Sequence, residues 1–260
     1  MNLISAYYTD EGPVKNVNQD SLCIKAAVLN GDNIILAAVC DGMGGLSDGE
    51  TASAYIISGI SKWFEGTLPD MLRNKVGILD IRQSMDRHLH QLNNKLNSYS
   101  SVSGKIMGTT MTAVLIIQSS GKMITAHVGD SRLYKIKDDS TEVITTDHSV
   151  IYEEMRRGKL TEEDALNGNR QNQLTKCMGA GLKNVSYDYI ISPYETNCVY
   201  MLCTDGFIKK ITKDEISDRL KPSVIINDIT AHGNLKSLTE LSLTRNETDN
   251  ITALLIKLQS

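Results

Sequence analysis

The chain has 260 residues, a formal net charge of −4 and 41% hydrophobic residues, enough for a core of ordinary size in one large domain or two small ones. No Lys/Arg cluster exceeds a pair, which excludes the basic face of a nucleic-acid binder, and Arg156-Arg157 and Lys209-Lys210 read as solvated helix or loop faces. No run reaches the ~20 apolar residues of a membrane span, and the first residues lack the basic and apolar regions of a signal peptide, so a soluble cytoplasmic protein is expected.

Leu3–Tyr8 and Ser21–Leu29 read as strands on either side of the polar loop Thr9–Asp20. The turn Asn30-Gly31-Asp32-Asn33 then leads into a third strand, Ile34–Cys40, and the three together predict an antiparallel meander. Ala52, Tyr55, Ile56, Ile60, Trp63 and Phe64 recur at helical spacing, as do Ile81, Met85, Leu89, Leu92 and Leu96, giving two helices with one apolar stripe each. Strands return at Thr110–Gln118, Met123–Val128 and Arg132–Ile136. The charged stretch Val150–Asn172 follows, with short helices predicted at Ile151–Arg157 and near Thr161–Leu166. Strands at Val185–Ile191 and Val199–Cys203, two short helices between Lys213 and His232, and a last strand at Ile251–Leu258 complete the chain. Proline is scarce and no Gly/Ser or Gln/Asn tract interrupts this order, so a single domain spanning 1–260 is expected, of α+β class with antiparallel sheets. Cys23, Cys40, Cys177, Cys198 and Cys203 form no C-x-x-C and are odd in number, as buried thiols of a reducing compartment would be.

The chemistry-bearing pattern lies at the strand ends. Ile34–Cys40 runs into Asp41-Gly42, Val199–Thr204 into Asp205-Gly206, and Met123–Gly129 into Asp130, while Asp20 and Asp249 each precede a strand. An aspartate at the edge of an apolar strand is costly unless its charge is compensated. One alone reads as a cap or a backbone acceptor; five together do not. Lys and Arg are absent in sequence beside most of them, which leaves hard divalent cations, Mg²⁺ or Mn²⁺, as the expected compensation. The five histidines share no spacing with a cysteine pair, so zinc is not expected. Paired hard ions on carboxylates suit attack of an activated water on phosphorus, with no Ser or Cys nucleophile required. His127 reads as a hydrogen-bonded core residue, and His148 as part of the start of a helix capped by Asp147 or Ser149. Gly42-Met43-Gly44-Gly45 lacks the third glycine and the βαβ setting of a dinucleotide-binding loop.

Six motifs occur in one order: Lys15-x-x-Asn18-Gln19-Asp20, Val39-Cys40-Asp41-Gly42-Met43-Gly44-Gly45, Gly108-Thr109-Thr110, His127-Val128-Gly129-Asp130-Ser131-Arg132, Cys203-Thr204-Asp205-Gly206 and Asp249-Asn250. In this the chain resembles the PPM family, the metal-dependent type 2C-like serine/threonine protein phosphatases, in its bacterial-type branch. The resemblance implies a four-layer α-β-β-α sandwich of two antiparallel sheets flanked by helices, with two Mn²⁺ or Mg²⁺ ions at one edge and a third held weakly. It further implies that Asp41 bridges the two ions and that the Gly42 carbonyl binds the first. Asp205 and Asp249 would bind the second, Asp130 with Asp205 the third, and Asp20 would hold or deprotonate the attacking water. Lys15 stands where the family has an arginine that grips the substrate phosphate; it keeps the charge and loses the bidentate fork, so weaker phosphate capture is expected. Met43 stands where many eukaryotic members carry histidine. The segment at about 148–178 falls where the family has a mobile flap, an ordinary surface excursion being the other reading. Phosphorylated proteins are the implied substrates, a cognate Ser/Thr kinase the implied counterpart, and a monomer the expected state. A pseudophosphatase that binds partners without catalysis is the competing class, favoured only if metal aspartates were lost.

Overall fold

The computed structural model describes residues 2–43, 48–160 and 173–259. Gly44, Gly45 and the helix expected near Thr161–Leu166 lie outside them. Among the described residues, twelve strands form two antiparallel sheets. In the five-stranded sheet the order is β1 (Asn2–Asp10), β12 (Ile251–Gln259), β11 (Val199–Cys203), β7 (Arg132–Ile136) and β8 (Thr141–Val143). In the other sheet β3 (Asp32–Met43) lies between β2 (Asp20–Leu29) and β5 (Met111–Ile117), followed outward by β6 (Lys122–Val128) and β10 (Asp188–Pro193). Two short strands, β4 (Gly108–Thr109) and β9 (Met178–Gly179), extend it beside the end of β3.

The period of two along each strand makes the layers. On β3, Leu36, Ala38 and Cys40 face the helices α1 (Gly49–Arg73) and α2 (Ile78–Ser103), meeting Ile56, Ile60, Trp63, Met85 and Leu89. The alternate residues Ile35, Ala37 and Val39 face the opposite sheet, where Leu202, Leu254 and Ile256 receive them. On β12, Ala253 and Leu255 turn outward to α5 (Lys213–Leu220) and α6 (Asp228–Thr244), packing with Ile216, Leu235 and Leu238. Both faces of the central strands are therefore covered, which is why they read as unbroken apolar runs rather than alternating ones. The result is the four-layer sandwich. Among the described residues no helix is long and apolar enough to cross a membrane.

Three expectations need correction. The first three strands are no meander: β1 pairs along its whole length with β12 in the other sheet, while β2 pairs with β3. The polar loop after β1 thus crosses between sheets, and local turn signals do not record that choice. The second helix after Lys213 is not short; α6 runs from Asp228 to Thr244, with Asn227 and Thr230 closing a capping box at its start. The strand expected at Val185–Ile191 begins at Asp188, with Val185 and Tyr187 packed under α2 instead.

Candidate active site

Pairing register brings the strand ends carrying aspartate to one edge of the sandwich. Asp20, which opens β2, lies directly across from Asp41 near the end of β3. In the facing sheet, Cys203 at the end of β11 pairs with Ala253 near the start of β12. That register sets Asp205 beside Asp249. Asp130 follows β6 in the turn to β7.

Asp41, Gly42, Asp130, Asp205, Asp249 and Lys15 all line one cavity of about 220 Å³, with Gln19, Met43, Thr110 and Leu174. Larger clefts exist, such as one of about 460 Å³ bordered by Leu3, Tyr7 and Ile24, but its only carboxylate is Asp228. Asp20 is not on the cavity wall; it stands behind, where its Oδ2 accepts a hydrogen bond from the Thr204 hydroxyl at 2.9 Å.

The two Asp-Gly pairs need their glycines because another backbone passes too close for a side chain. A Cβ on Gly42 would lie 2.1 Å from the Gly49 carbonyl oxygen and 2.5 Å from that of Gln19. A Cβ on Gly206 would lie 2.2 Å from the Asn250 oxygen. Polar residues then fix each corner. The Thr109 hydroxyl donates to the Asp41 carbonyl at 2.9 Å, and the Thr110 hydroxyl accepts from the Asp41 amide at 2.9 Å and meets the Ser131 hydroxyl at 2.7 Å. Asp41 and the Asp130 turn are thereby tied together. Asn250 accepts from the Gln19 amide at 2.9 Å and donates to the Glu11 and Val17 carbonyls, clamping the loop that carries Lys15. The sequence marked the motifs holding these residues without giving Thr109, Thr110 or Asn250 a task.

The site carries more negative charge than its surroundings balance. Burial pushes the Asp41 carboxyl well above the ordinary range, and Asp20, Asp205, Asp130 and Asp249 add to the push, although one side of Asp41 opens on the cavity. Burial likewise raises Asp20 to about 7, against the hydrogen bonds from Thr252 and Thr204, and Asp130 to about 8. The Oδ1 atoms of Asp20 and Asp205 are buried without a hydrogen-bond partner. Buried acceptors left unpaired cost free energy, and a site that holds several marks a place for a cation.

One cation is already there. Lys209 follows the single-turn helix α4 (Asp205–Ile208), and its Nζ lies 2.6 Å from Asp205 and 3.4 Å from Asp249. Lys15 reaches Asp249 at 3.2 Å. Burial raises the Asp249 carboxyl, but Lys209 and Lys15 outweigh it and hold the group below its usual value. These contacts correct two expectations: Lys209 is no solvated surface residue, and lysines do compensate part of the cluster. The i,i+4 spacing of Asp205 and Lys209 at a helix start was the available signal. Neither lysine pairs with Asp41 or Asp20 among the recorded ion pairs of the described residues.

The donor set is all oxygen, which suits a hard divalent ion. Among the described residues no three His, Cys, Asp or Glu side chains stand ready to hold a metal ion as they are, Lys209 filling the gap between two of the candidates. His127 and His148 take no part in the cavity. His127 bonds to Thr112 and to the Thr146 carbonyl and stacks on His148 at 5.0 Å, as a core residue. Ser149 caps α3 (Val150–Arg156), and Asp147 binds Arg132 instead.

Comparison with known proteins places the chain in a family. Residues 14–240 match the family described as protein phosphatase 2C. The serine/threonine phosphatase Stp of Listeria monocytogenes is 28% identical over 252 residues, covering 93% of this chain and 96% of that one. The crystal structure of the phosphatase Stp1 from Staphylococcus aureus superposes with a TM-score of 0.84 at 27% identity, covering 100% of this chain and 96% of that one. The catalytic domain of the phosphatase PstP, solved in complex with two manganese ions, shares the fold at 23% identity, with a TM-score of 0.78 and all of both chains covered. The chain belongs to the protein phosphatase 2C family and is a serine/threonine protein phosphatase.

Proposed function

We propose that the chain hydrolyses phosphoserine and phosphothreonine esters of proteins with two Mn²⁺ or Mg²⁺ ions, and that it opposes a Ser/Thr kinase in the cytoplasm as a monomer. The observation that carries the reading is the shared cavity of Asp41, Asp130, Asp205 and Asp249, with carboxyl oxygens left unpaired behind it. In this reading Asp41 and the Gly42 carbonyl would hold the first ion, Asp41 with Asp205 and Asp249 the second, and Asp130 with Asp205 a weaker third. The ions, when bound, supply Lewis acidity and an activated water.

The chain's own groups do the rest. Asp20, raised to about 7 by burial in the metal-free chain and held by Thr204, is suited to accept a proton near neutral pH. Lys15, 44% exposed at the cavity mouth, is free to exchange Asp249 for a substrate phosphate. Leu174, at the described end of the segment at about 148–178 that we read as a flap within a single domain, closes one wall; residues 161–172 of that segment lie outside the described ones. None of the carboxylates is missing, so nothing favours a pseudophosphatase.

Hydrolysis of p-nitrophenyl phosphate and of a phosphothreonine peptide, with Mn²⁺, Mg²⁺ or EDTA, tests the proposal. Activity is expected with at least one ion and none in EDTA. Turnover that survives EDTA, or that fails with both ions, would sink it.

A further inference from the structure

Lys209 is not an ordinary surface partner of Asp205. The side chains of Lys209, Asp205 and Asp249 are 24%, 14% and 26% exposed, so the three meet largely shielded from solvent. Its ammonium lies 2.6 Å from one oxygen of Asp205 and 3.4 Å from one of Asp249, the two carboxylates assigned above to the same ion. The other Asp205 oxygen has no partner. Glu247, buried at 4% exposure, adds a third negative charge near the same ammonium and orients Asp249 by accepting its amide at 3.0 Å. A lysine so placed has a fixed unit charge on a tether and cannot leave the site by diffusion.

Resting on the metal-dependent reading above, we propose that Lys209 is a resident counter-cation of the second-ion half of the site. It neutralises Asp205 and Asp249 when no ion is present, and it competes with the ion for them. Loading is then an exchange: the ammonium surrenders at least one carboxylate before a divalent ion takes both. The consequence is asymmetric. The first ion, held through Asp41 and the Gly42 carbonyl, meets no resident cation among the described residues, while the second, held through Asp205 and Asp249 as well, binds more weakly. Lys209 therefore acts through the ligands, as a residue that sets metal affinity and not as one that touches substrate.

The test is Mn²⁺ binding, read by the paramagnetic signal of free Mn²⁺ and by calorimetry, without substrate. Wild type is expected to bind its first two ions at one tighter and one weaker site, ahead of the weak third. Lys209→Met should tighten the weaker site at least about tenfold, as removal of a unit positive charge a few ångströms away implies. Lys209→Arg, which keeps the charge, should stay within about threefold of wild type. Melting adds a second readout: metal-free Lys209→Met should melt below wild type, and saturating Mn²⁺ should close or reverse the gap. A merely structural ion pair predicts a lower melting temperature in both states with Mn²⁺ affinity unchanged or weakened, and that result would overturn the proposal alone. Absence of Mn²⁺ binding in wild type and in both variants would overturn the metal reading together with it. If Lys209→Met does not stay folded without metal, Lys209→Gln prepared in Mn²⁺ and dialysed carries the same expectations.

Discussion

Two Asp-Gly corners, one from each sheet, meet at this site and solve the same problem differently. Asp41-Gly42 lies near the end of β3, just before Met43, and Asp205-Gly206 follows β11. Both glycines exist because a neighbouring carbonyl would lie within 2.1–2.2 Å of any side chain. Around the Asp41 corner the support is two hydroxyls, Thr109 and Thr110, and the acidic group across the sheet, Asp20, adds to the repulsion instead of relieving it. Around the Asp205 corner a cation is supplied in the chain itself, one helical turn later. Identical dipeptides at two strand ends thus differ in whether their charge is balanced before any ion arrives. Geometry is set by the glycines, and electrostatics by what the next turn happens to carry.

The comparison breaks first under loss of either carboxylate. Asp41→Ala and Asp205→Ala should each reduce turnover of a phosphothreonine peptide by at least about a thousandfold, since each removes a shared ion ligand. Near-normal rates in either variant would exclude the assignment of that residue. The isosteric pair separates the corners: in EDTA, Asp41→Asn should raise the melting temperature by roughly 2–6 °C, by removing a carboxyl whose ionisation burial and four neighbouring aspartates oppose. Asp205→Asn should lower it, because Lys209 is then left with fewer counter-charges. Equal shifts in the two variants would mean that the corners are not electrostatically distinct.

Gly42→Ala and Gly206→Ala should each cost about 2–4 kcal/mol, read by denaturant unfolding, because the blocking atoms are backbone and do not move aside as a side chain tip does. They should differ in kinetics. Gly206→Ala presses on Asn250, which clamps the loop bearing Lys15, so its KM for phosphopeptide should rise more than that of Gly42→Ala. A KM unchanged in both would detach the Lys15 loop from the Asp205 corner.

Acid titration sharpens the same contrast. Asp20 and Asp130 are raised from 3.8 to about 7 and about 8, and Asp41 is raised as well. Over that range the folded metal-free chain keeps protons that the unfolded chain has lost, so stability falls as pH rises. Melting in EDTA should therefore decline between about pH 4 and pH 8. Saturating Mn²⁺ should flatten the decline by holding these carboxylates ionised in the folded state. A melting temperature in EDTA that is flat or rises over this window would show that the cluster is already neutralised.

Much of this is readable in the sequence. Val199–Cys203 came out as the strand it is, and Leu36, Ala38 and Cys40 alternate with Ile35, Ala37 and Val39 because both faces of β3 are buried. The strand-end aspartates were legible because a charge at the end of an apolar run is expensive and so stands out. What escaped was set by pairings far apart in sequence. β1 joins β12 across the whole chain, and no local pattern says so. Asn250 reaches back to residues Glu11 and Val17, a contact that exists only once β12 lies beside β1. Lys209 escaped for another reason. A Lys-Lys pair is usually solvated, and only the burial of one member, with its neighbour Lys210 exposed, separates a site residue from a surface one.

Lys15 offers the finest test, because it lies on the Asp205 side of the site and is itself shared. Its ammonium sits 3.2 Å from Asp249, so phosphate capture draws it away from a carboxylate that Lys209 also holds. Arginine at this position would present two parallel N–H donors to a phosphate, where lysine offers a point charge. Lys15→Arg should therefore lower KM for a phosphothreonine peptide by about three- to tenfold, with kcat changed by less than about twofold, the gain being in ground-state binding. Lys15→Met should raise KM by a comparable factor and leave the Mn²⁺ requirement in place. An arginine variant whose KM is unchanged or higher would remove the phosphate role from this loop, and would leave Lys15 as a second counter-charge for Asp249 beside Lys209.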